Sequence, residues 1–484
     1  MSEIQTVRTR FAPSPTGFMH IGNLRTALYA YLFARKNNGR FVLRIEDTDQ
    51  ERLVDNAVET IYNTLRLAGL SHDEGPDAGG PYGPYIQSER GGIYAKYAKE
   101  LISKGQAYPC FCTKERLESL ADASGNRRYD KHCLHLSQSE VEEKIAAGIP
   151  SVIRQNVPEE GVTTFTDLVF GTISVENKEL QDMVLIKSDG FPTYNFANVV
   201  DDHLMAISHV FRGMEYISST PAYNLLYEAF GWEIPQYVHL PHIMRDKQNK
   251  LSKRHGDANF EDFLQKGYLP EAILNYVALL GWNPKNDVEK FALGELVETF
   301  GIAGISKSSA IFDEVKLRWL NSLYVKELPA EEFRKLAAPY YEGLAVPIDA
   351  ALLDALLQPR VSVISDIPEL LAFINNFEEY SVELFENKGA KSNKEMAQTF
   401  LPQVIAAAKQ ITDWNNDALF AAFESITEQA GLKKKQTLWI IRIAATGQAS
   451  TPGGASEVCA LLGKETTLQR LEYSLQRLRE AGNN

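Results

Sequence analysis

The sequence predicts an α/β front half built on a parallel sheet, followed by an all-helical rear. Three observations carry that prediction. Short apolar runs with charges at their ends, VRTRFA at residues 7–12 and RFVLRIED at residues 40–47, have the length of buried strands. Between them Leu24, Ala27, Leu28, Tyr31 and Leu32 recur at helical spacing, so the order is strand–turn–helix–strand. Such a βαβ unit implies a parallel pair with a right-handed crossover. From about Glu261 the i, i+3, i+4 apolar period takes over, as in EAILNYVALLGW and the terminal ETTLQRLEYSLQRLREAG.

The elements follow in order. AVETIYNTLRLAGL at residues 57–70 supplies the next helix, and the Gly- and Pro-dense DEGPDAGGPYGPY at 73–85 reads as loop. A helix-like GGIYAKYAKELISKG then leads into a cysteine cluster and the β-like pieces SVIRQNV and FTDLVFGTISVEN. Residues 81–190 therefore read as an insertion, and the parallel sheet resumes at FPTYNFANVVDDHLMAISHVFRG, residues 191–213. The expected layout is a sheet domain in two halves (1–80 and 191–245), the insertion (81–190), a connecting domain (246–325) and a helical region (326–484).

Composition narrows the class. A chain of 484 residues is too long for one core, and 44% hydrophobic with 23% charged residues is ordinary for a globular protein. No apolar run approaches the ~20 residues needed to cross a bilayer. The N-terminal MSEIQTVRTR holds no apolar stretch for a signal peptide. Four cysteines, three of them clustered, do not make a secreted disulfide framework, so a soluble cytoplasmic protein is expected. The formal net charge is −13, yet a local basic face still binds a polyanion, and residues 425–484 carry eight Lys/Arg against five Asp/Glu. The run Lys433-Lys434-Lys435 lies there, although such runs are usually solvated surface.

Two motifs carry chemistry. PSPTGFMHIGN, residues 13–23, sits between the first strand and its helix, where unpaired N–H groups and the helix dipole favour an anion. Gly17 and Gly22 admit close backbone approach, and His20 is placed to hydrogen-bond a phosphate oxygen. This is neither the G-x-G-x-x-G fingerprint nor a P-loop, and alone it is only a strand-to-helix turn. KLSKRHGD, residues 250–257, sets Lys250 and Lys253 about Ser252, a cationic clamp suited to charge growing on a leaving phosphate. By itself it is a solvated basic loop. The two together are far more specific.

These motifs resemble the H-I-G-H and K-M-S-K-S signatures of class I aminoacyl-tRNA synthetases. With RIEDTD (residues 44–49), the 191–213 segment and the terminal TPGGASEVCALLGKE, the chain is similar end to end to bacterial glutamyl-tRNA synthetases. Asn23 replaces the second histidine, and Leu251 and Arg254 replace Met and Ser; all three substitutions are usual in the glutamate enzymes. The resemblance implies a Rossmann-like catalytic domain with an inserted acceptor-end-binding domain and a helical anticodon-binding region. It implies ATP and Mg2+, L-glutamate and tRNA(Glu) as partners, a monomer, and no membrane; whether tRNA(Gln) is also charged stays open. A glutaminyl-tRNA synthetase is the near rival, against which the helical rear argues, and a non-catalytic tRNA-binding homologue is the remote one.

By the same resemblance His20 and Lys253 stabilise the reacting phosphate while Lys250 and Ser252 hold the triphosphate, with Gly17, Gly22, Asn23 and Glu215 on the ATP side. Arg10 and Arg212 match the substrate arginines, guanidinium forks being suited to carboxylates. Glu46 matches the group that receives the amino group, and Ala12, Ser14, Tyr194 and Asn198 match further glutamate-pocket positions. The plain alternative is that Arg10 and Glu46, on neighbouring strand ends, merely pair with each other.

Cys110-x-Cys112 and Cys133-x-His135 present three thiolates and an imidazole in two close pairs, a donor set for structural tetrahedral Zn2+. His132 is a competing ligand, and unmetallated thiols are the blander reading. Cys459 reads as a core residue. Arg360, in LLQPRVSVIS, is a candidate anticodon reader, though an arginine after proline is more often surface.

Overall fold

In the computed structural model, which describes residues 6–49, 53–121, 128–251, 259–377 and 380–482, the chain forms two units. The first is Met1–Gln265 with Pro270–Glu314, and the second is Lys266–Leu269 with Val315–Asn484.

The first unit opens with the anticipated βαβ: β1 (Arg8–Phe11), α1 (Ile21–Lys36) and β2 (Arg40–Leu43), with β1 and β2 parallel. Helix α1 stops at Asn37-Asn38-Gly39. Asn38 takes a left-handed φ of 51°, and a Cβ on Gly39 would strike the Val7 carbonyl. Helices α2 (Ala57–Leu67) and α3 (Gly91–Ser103) follow. Next come β3 (Ala107–Cys110), α4 (Lys114–Ser119), α5 (Gln138–Ala146), β4 (Val152–Gln155), β5 (Val162–Asp167), β6 (Gly171–Glu176) and β7 (Val184–Ile186). The parallel pattern returns with α6 (Tyr194–Leu204), β8 (His209–Gly213), α7 (Thr220–Phe230) and β9 (Gln236–Leu240).

The main sheet has the order β2-β1-β8-β9-β5-β6. Its first five strands are parallel, and β6 closes the edge as an antiparallel hairpin on β5. The segment expected to be an insertion thus also extends the sheet it interrupts. Strand β5 alternates exposed and buried residues along its length, and Phe165 joins Val42, Val210 and Tyr237 in one core cluster. The remaining inserted strands make a separate antiparallel sheet, β3-β4-β7.

Strand β1 shows how the sheet is filled. Thr9 faces α1, where its hydroxyl donates to the Ala30 carbonyl at 2.9 Å. Arg8 and Arg10 face the other way, toward α6 and its C-terminal end. Arg8 reaches the Met205 carbonyl and pairs with Glu74 at 2.7 Å, while Arg10 pairs with Asp202. The charges that mark the strand in the sequence are therefore buried rather than solvated. On that side α3, α6 and α7 share an apolar cluster that includes Tyr94, Phe196, Val200, Tyr223 and Leu226.

Beyond the sheet lie the paired strands β10 (Ile243–Met244) and β11 (Ala310–Ile311), with α8 (Phe260–Gln265), α9 (Pro270–Leu279) and α10 (Leu293–Thr299). Among the described residues of the second unit the regular elements are helices, from α11 (Glu314–Glu327) onward. The unit continues with α12 (Ala330–Ala337), α13 (Ala350–Leu357), α14 (Ile367–Asn375), α15 (Lys394–Gln410), α16 (Asn416–Gln429), α17 (Lys434–Thr446), α18 (Ala455–Leu462) and α19 (Lys464–Gly482). Arg470 of α19 donates to the Phe373, Ile374 and Ala445 carbonyls at 2.8–3.1 Å, satisfying the last turns of α14 and α17. Cys459 is fully buried, as expected of a core thiol.

Candidate active site

Strand order reverses at β1, whose two neighbours β2 and β8 are reached in opposite directions, and open α/β sheets bind ligands at such a point. A cavity of about 360 Å³ lies there, at the C-terminal ends of β1 and β8. Arg10, Ala12 and Ser14 line it from β1 and the turn after it, and Arg212 and Glu215 from β8 and the turn that follows. Glu46, Asn23 and Tyr194 complete the expected residues on its wall, and Thr26, Asp49 and Tyr216 are further lining groups. Asn198 is buried one turn along α6, and its amide donates to the Tyr194 carbonyl at 2.7 Å; it stands behind the wall.

The wall rests on buried ion pairs. Arg10 and Glu46 do not pair with each other. Arg10 engages Asp202 through Nε and Nη2 at 3.1–3.3 Å and gives Nη1 to the Phe211 carbonyl at 3.0 Å. Glu46 accepts from Arg44 at 3.0 Å. Arg44, fully buried, also reaches Asp202 at 2.9 Å and lies 3.8 Å from Asp201. Arg90 pairs with Asp201 at 2.7 Å, and Gln87 and Tyr94 donate to its other oxygen at 2.9 and 2.8 Å. Buried ions survive only when paired in this way. With Arg44 shared among three carboxylates, burial outweighs Arg44 and Arg10 at Glu46 and pushes its carboxyl from an ordinary 4.5 up to about 7. The sequence reading missed Arg44, Arg90, Asp201 and Asp202. The available signal was the pair of adjacent acids in the apolar helix segment FANVVDDHL.

Arg212 is held differently. Three tyrosine rings, Tyr216, Tyr223 and Tyr237, surround its guanidinium at 5.0–5.3 Å from their centroids. Its Nη2 donates to the Thr220 hydroxyl at 2.7 Å.

The turn at residues 13–23 sits at the mouth. His20 is the N-cap of α1, and its Nδ1 accepts from the Gly22 N–H at 3.0 Å, leaving Nε2 as the second ring nitrogen. Gly17 has a φ of 109° with open space where a Cβ would stand, so glycine is needed there for its backbone. Lys250 is exposed and bridges to Met244 in antiparallel register. Ser252 and Lys253 lie outside the described residues. On their C-terminal side Asn259 bridges to His20, and the Phe260 N–H donates to the Met19 carbonyl at 3.0 Å. Lys250 and Asn259 thus bracket the basic motif, and Asn259 lies directly against the histidine turn.

The thiols of Cys110, Cys112 and Cys133 converge, all within 4.8 Å of one another and with the last two 3.6 Å apart. A tetrahedral zinc with ~2.3 Å bonds sets sulfurs ~3.8 Å apart, so the spacing fits. His135 does not join them. Residues 132–135 form a single 3-10 turn, in which positions i and i+2 point to different sides, so Cys133 is buried and His135 exposed. The Tyr129 hydroxyl also stands against the cluster, 3.3 Å from the Cys110 sulfur and 3.7 Å from that of Cys112. Arg154 donates to Cys110 at 3.3 Å, an arrangement that suits a thiolate.

In the helical unit Arg360 is exposed, donates to the Leu356 carbonyl at 2.9 Å and lies 3.8 Å from Glu457. A cavity of about 420 Å³ is lined there by Asn387, Lys435, Trp439 and Arg442.

This parallel-sheet site, with its histidine turn and basic motif, is that of a class I synthetase, and comparison with known proteins agrees. Residues 6–319 match the family described as tRNA synthetases class I (E and Q), catalytic domain, and residues 330–475 match an anticodon binding domain. The glutamate–tRNA ligase of Clostridium kluyveri is 55% identical over 484 residues, covering 99% of both chains, and that of Clostridium novyi is 54% identical over 482. A glutamate tRNA ligase from Elizabethkingia meningosepticum, crystallised with its amino acid, superposes with a TM-score of 0.87 at 33% identity, covering 98% of this chain and 100% of that one. The chain belongs to the glutamate–tRNA ligase family of class I synthetases.

Replacing Asp202 by Ala leaves Arg10 and Arg44 without their shared counter-ion. Breaking a buried pair of this kind costs ~3–5 kcal/mol, and the loss is expected in urea or thermal unfolding of Asp202→Ala. A change under ~1 kcal/mol shows the pairing to be incidental.

Proposed function

We propose that the cavity at β1 and β8 binds L-glutamate beside ATP, and that the protein catalyses ATP + L-glutamate + tRNA(Glu) → glutamyl-tRNA + AMP + pyrophosphate. The observation that carries this reading is the buried part of the cavity wall: Arg10, Arg212 and Glu46 face one small space, while the other two lining carboxylates, Asp49 and Glu215, are exposed. An amino acid with two carboxylates and one ammonium has the complementary charges. Arg212 and Arg10 take the carboxylates. Glu46 takes the ammonium, and Ala12, Ser14, Tyr194 and Asn198 shape the rest.

The first step is in-line attack of the α-carboxylate on the α-phosphorus, with pyrophosphate leaving, followed by acyl transfer to a hydroxyl of the tRNA terminal adenosine. Little proton transfer is needed in the first step, so positioning and charge neutralisation dominate. Gly17, Gly22, Asn23 and the start of α1 receive the phosphates. His20, through Nε2, and Lys253 stabilise the reacting phosphate, and Lys250 and Ser252 hold the triphosphate. Glu215 serves the ATP side. Mg2+ accompanies ATP, and the Asp49 and Glu215 carboxylates on the cavity wall are oxygen donors of the kind it takes.

Cys110, Cys112 and Cys133 are the ligands we assign to a structural Zn2+, with the Tyr129 hydroxyl close beside two of them. Such a zinc ties β3 to the turn at 132–135 and takes no part in the reaction. In the helical unit the anticodon face includes Arg360 and the Lys435–Trp439–Arg442 cavity, since an aromatic ring beside cations suits an unstacked base.

Three outcomes test this reading. Charging purified tRNA(Glu) and tRNA(Gln) side by side should attach glutamate to tRNA(Glu), with free glutamine a poor substrate on either; preferential use of glutamine overturns the assignment. Because the Glu46 carboxyl is raised to about 7 and an ammonium favours its ionised form, glutamate binding below that value should expel a proton. Calorimetry near pH 6 in buffers of differing ionisation enthalpy should show release approaching one proton. That release should fade by about pH 8.5, where the group is already ionised, and vanish in Glu46→Gln. Elemental analysis should find stoichiometric zinc, lost in Cys110→Ser and kept in His135→Ala. Metal-free, fully active protein removes zinc from the account.

A further inference from the structure

The orientation of Arg212 is set from behind the cavity. Besides its bond to Thr220, its Nε donates to Nε2 of His239 at 3.0 Å. Among the described residues no acceptor stands against Nη1, on the guanidinium that lines the cavity. The rings of Tyr216, Tyr223 and Tyr237 leave the guanidinium little room to tilt, so rotation in its own plane is the remaining freedom. His239 and Thr220 are the contacts that stop it.

His239 lies fully buried on β9, and its own state is fixed one strand further out. Its Nδ1 is 2.7 Å from Oδ2 of Asp167 on β5, and the same oxygen accepts the His239 backbone N–H at 3.0 Å. The other Asp167 oxygen accepts the Val169 and Phe170 N–H groups at 2.8 and 2.7 Å. Burial lowers the His239 imidazole below its ordinary range even beside Asp167, so the ring is neutral at physiological pH. A neutral ring with a carboxylate at Nδ1 carries its proton there and presents Nε2 as an acceptor. The other tautomer, or the imidazolium, would set an N–H against the Nε–H of Arg212.

We infer that Asp167 and His239 are positioning residues which stop the Arg212 guanidinium from rotating within its plane, and through it make the cavity prefer a side-chain carboxylate to the corresponding amide. The inference rests on the reading of Arg212 as a substrate ligand. A guanidinium offers only donors, and one held at a fixed in-plane angle aims them at the incoming group, which a carboxylate meets with two acceptors and an amide with one acceptor and one opposing NH2. If Arg212 swings freely it can give up the second contact and accommodate the amide. Asp167 reaches this role only because the β5–β6 hairpin joins the main sheet beside β9.

The test compares variants that keep a polar group in place. His239→Asn can still meet Asp167 but is too short for Arg212, whereas His239→Gln can place an oxygen near the position of Nε2. Asp167→Asn turns an amide NH2 toward Nδ1 and favours the wrong tautomer, as in catalytic triads. In tRNA charging, His239→Asn and Asp167→Asn should raise KM for glutamate roughly ten- to hundredfold, with KM for ATP nearly unchanged. Glutamine should compete correspondingly better, and His239→Gln should recover most of the loss. Unchanged KM for glutamate in folded His239→Asn, equal behaviour of the Asn and Gln variants, or parallel rises in both KM values with falling melting temperature overturns the inference. Arg212→Ala separates the two levels. If it leaves KM for glutamate intact, the substrate role of Arg212 and the inference both fall; if it raises KM while the His239 variants do not, the inference falls alone.

Discussion

Asp202 is the residue on which the cavity depends. It is buried in α6 between two guanidinium groups, one from β1 and one from the segment after β2. Around it Arg10, Arg44 and Arg90 meet Glu46, Asp201 and Asp202, three cations against three carboxylates inside a protein core. Such a cluster contributes little net stability compared with an apolar core of equal volume, because desolvation offsets most of the attraction. What it does supply is rigidity. Arg10 is held on Asp202 and on a backbone carbonyl, so the protein's own contacts set its place in the cavity wall. Charge already oriented before the substrate arrives does not have to be reorganised during reaction.

The two cavity arginines divide the work. Arg10 is committed to the protein through all three nitrogens and acts as fixed positive field. Arg212 keeps one amino group for the cavity and is steered by neutral partners, an imidazole, a hydroxyl and three aromatic faces. Glu46 differs from both, sitting close to the balance between its neutral and ionised forms and responding to what binds. A wall built from one rigid cation, one directed cation and one responsive acid suits a zwitterion bearing a second carboxylate.

Much of this was legible in the chain, for reasons that differ by element. The βαβ opening and the terminal helix have local signals, apolar runs and helical periodicity, which the structure keeps, although β2 stops at Leu43 rather than running to Asp47. Arg10, Glu46 and Arg212 were found through motif resemblance, and all three line one cavity. The partner of Arg10 was not found, because Arg10 and Asp202 are 192 residues apart and no local pattern links them. The sequence offered Arg10 and Glu46 a pairing with each other as the plain alternative, whereas each is paired with a different buried group, Asp202 and Arg44. Strand β5 read as part of an insertion, since joining the edge of a distant sheet leaves no mark on a strand's own pattern. His135 was placed with the thiols on spacing and family resemblance, and in the structure it lies exposed on a tight turn, outside the thiol cluster.

The pairing of β1 with β8 joins Thr9 to His209 across the sheet. On a ribosome working at ~5–20 residues per second, roughly 10–40 seconds separate the emergence of those two strands. Through nearly all of that interval β1 carries Arg10 without its counter-ion Asp202, in a strand with only one neighbour. The N-terminal βαβ is therefore no independent folding unit; it consolidates when α6 and β8 arrive. A nascent chain of this design needs shelter for its first third, and truncations ending before residue 200 should be read as unfinished protein rather than as a minimal domain.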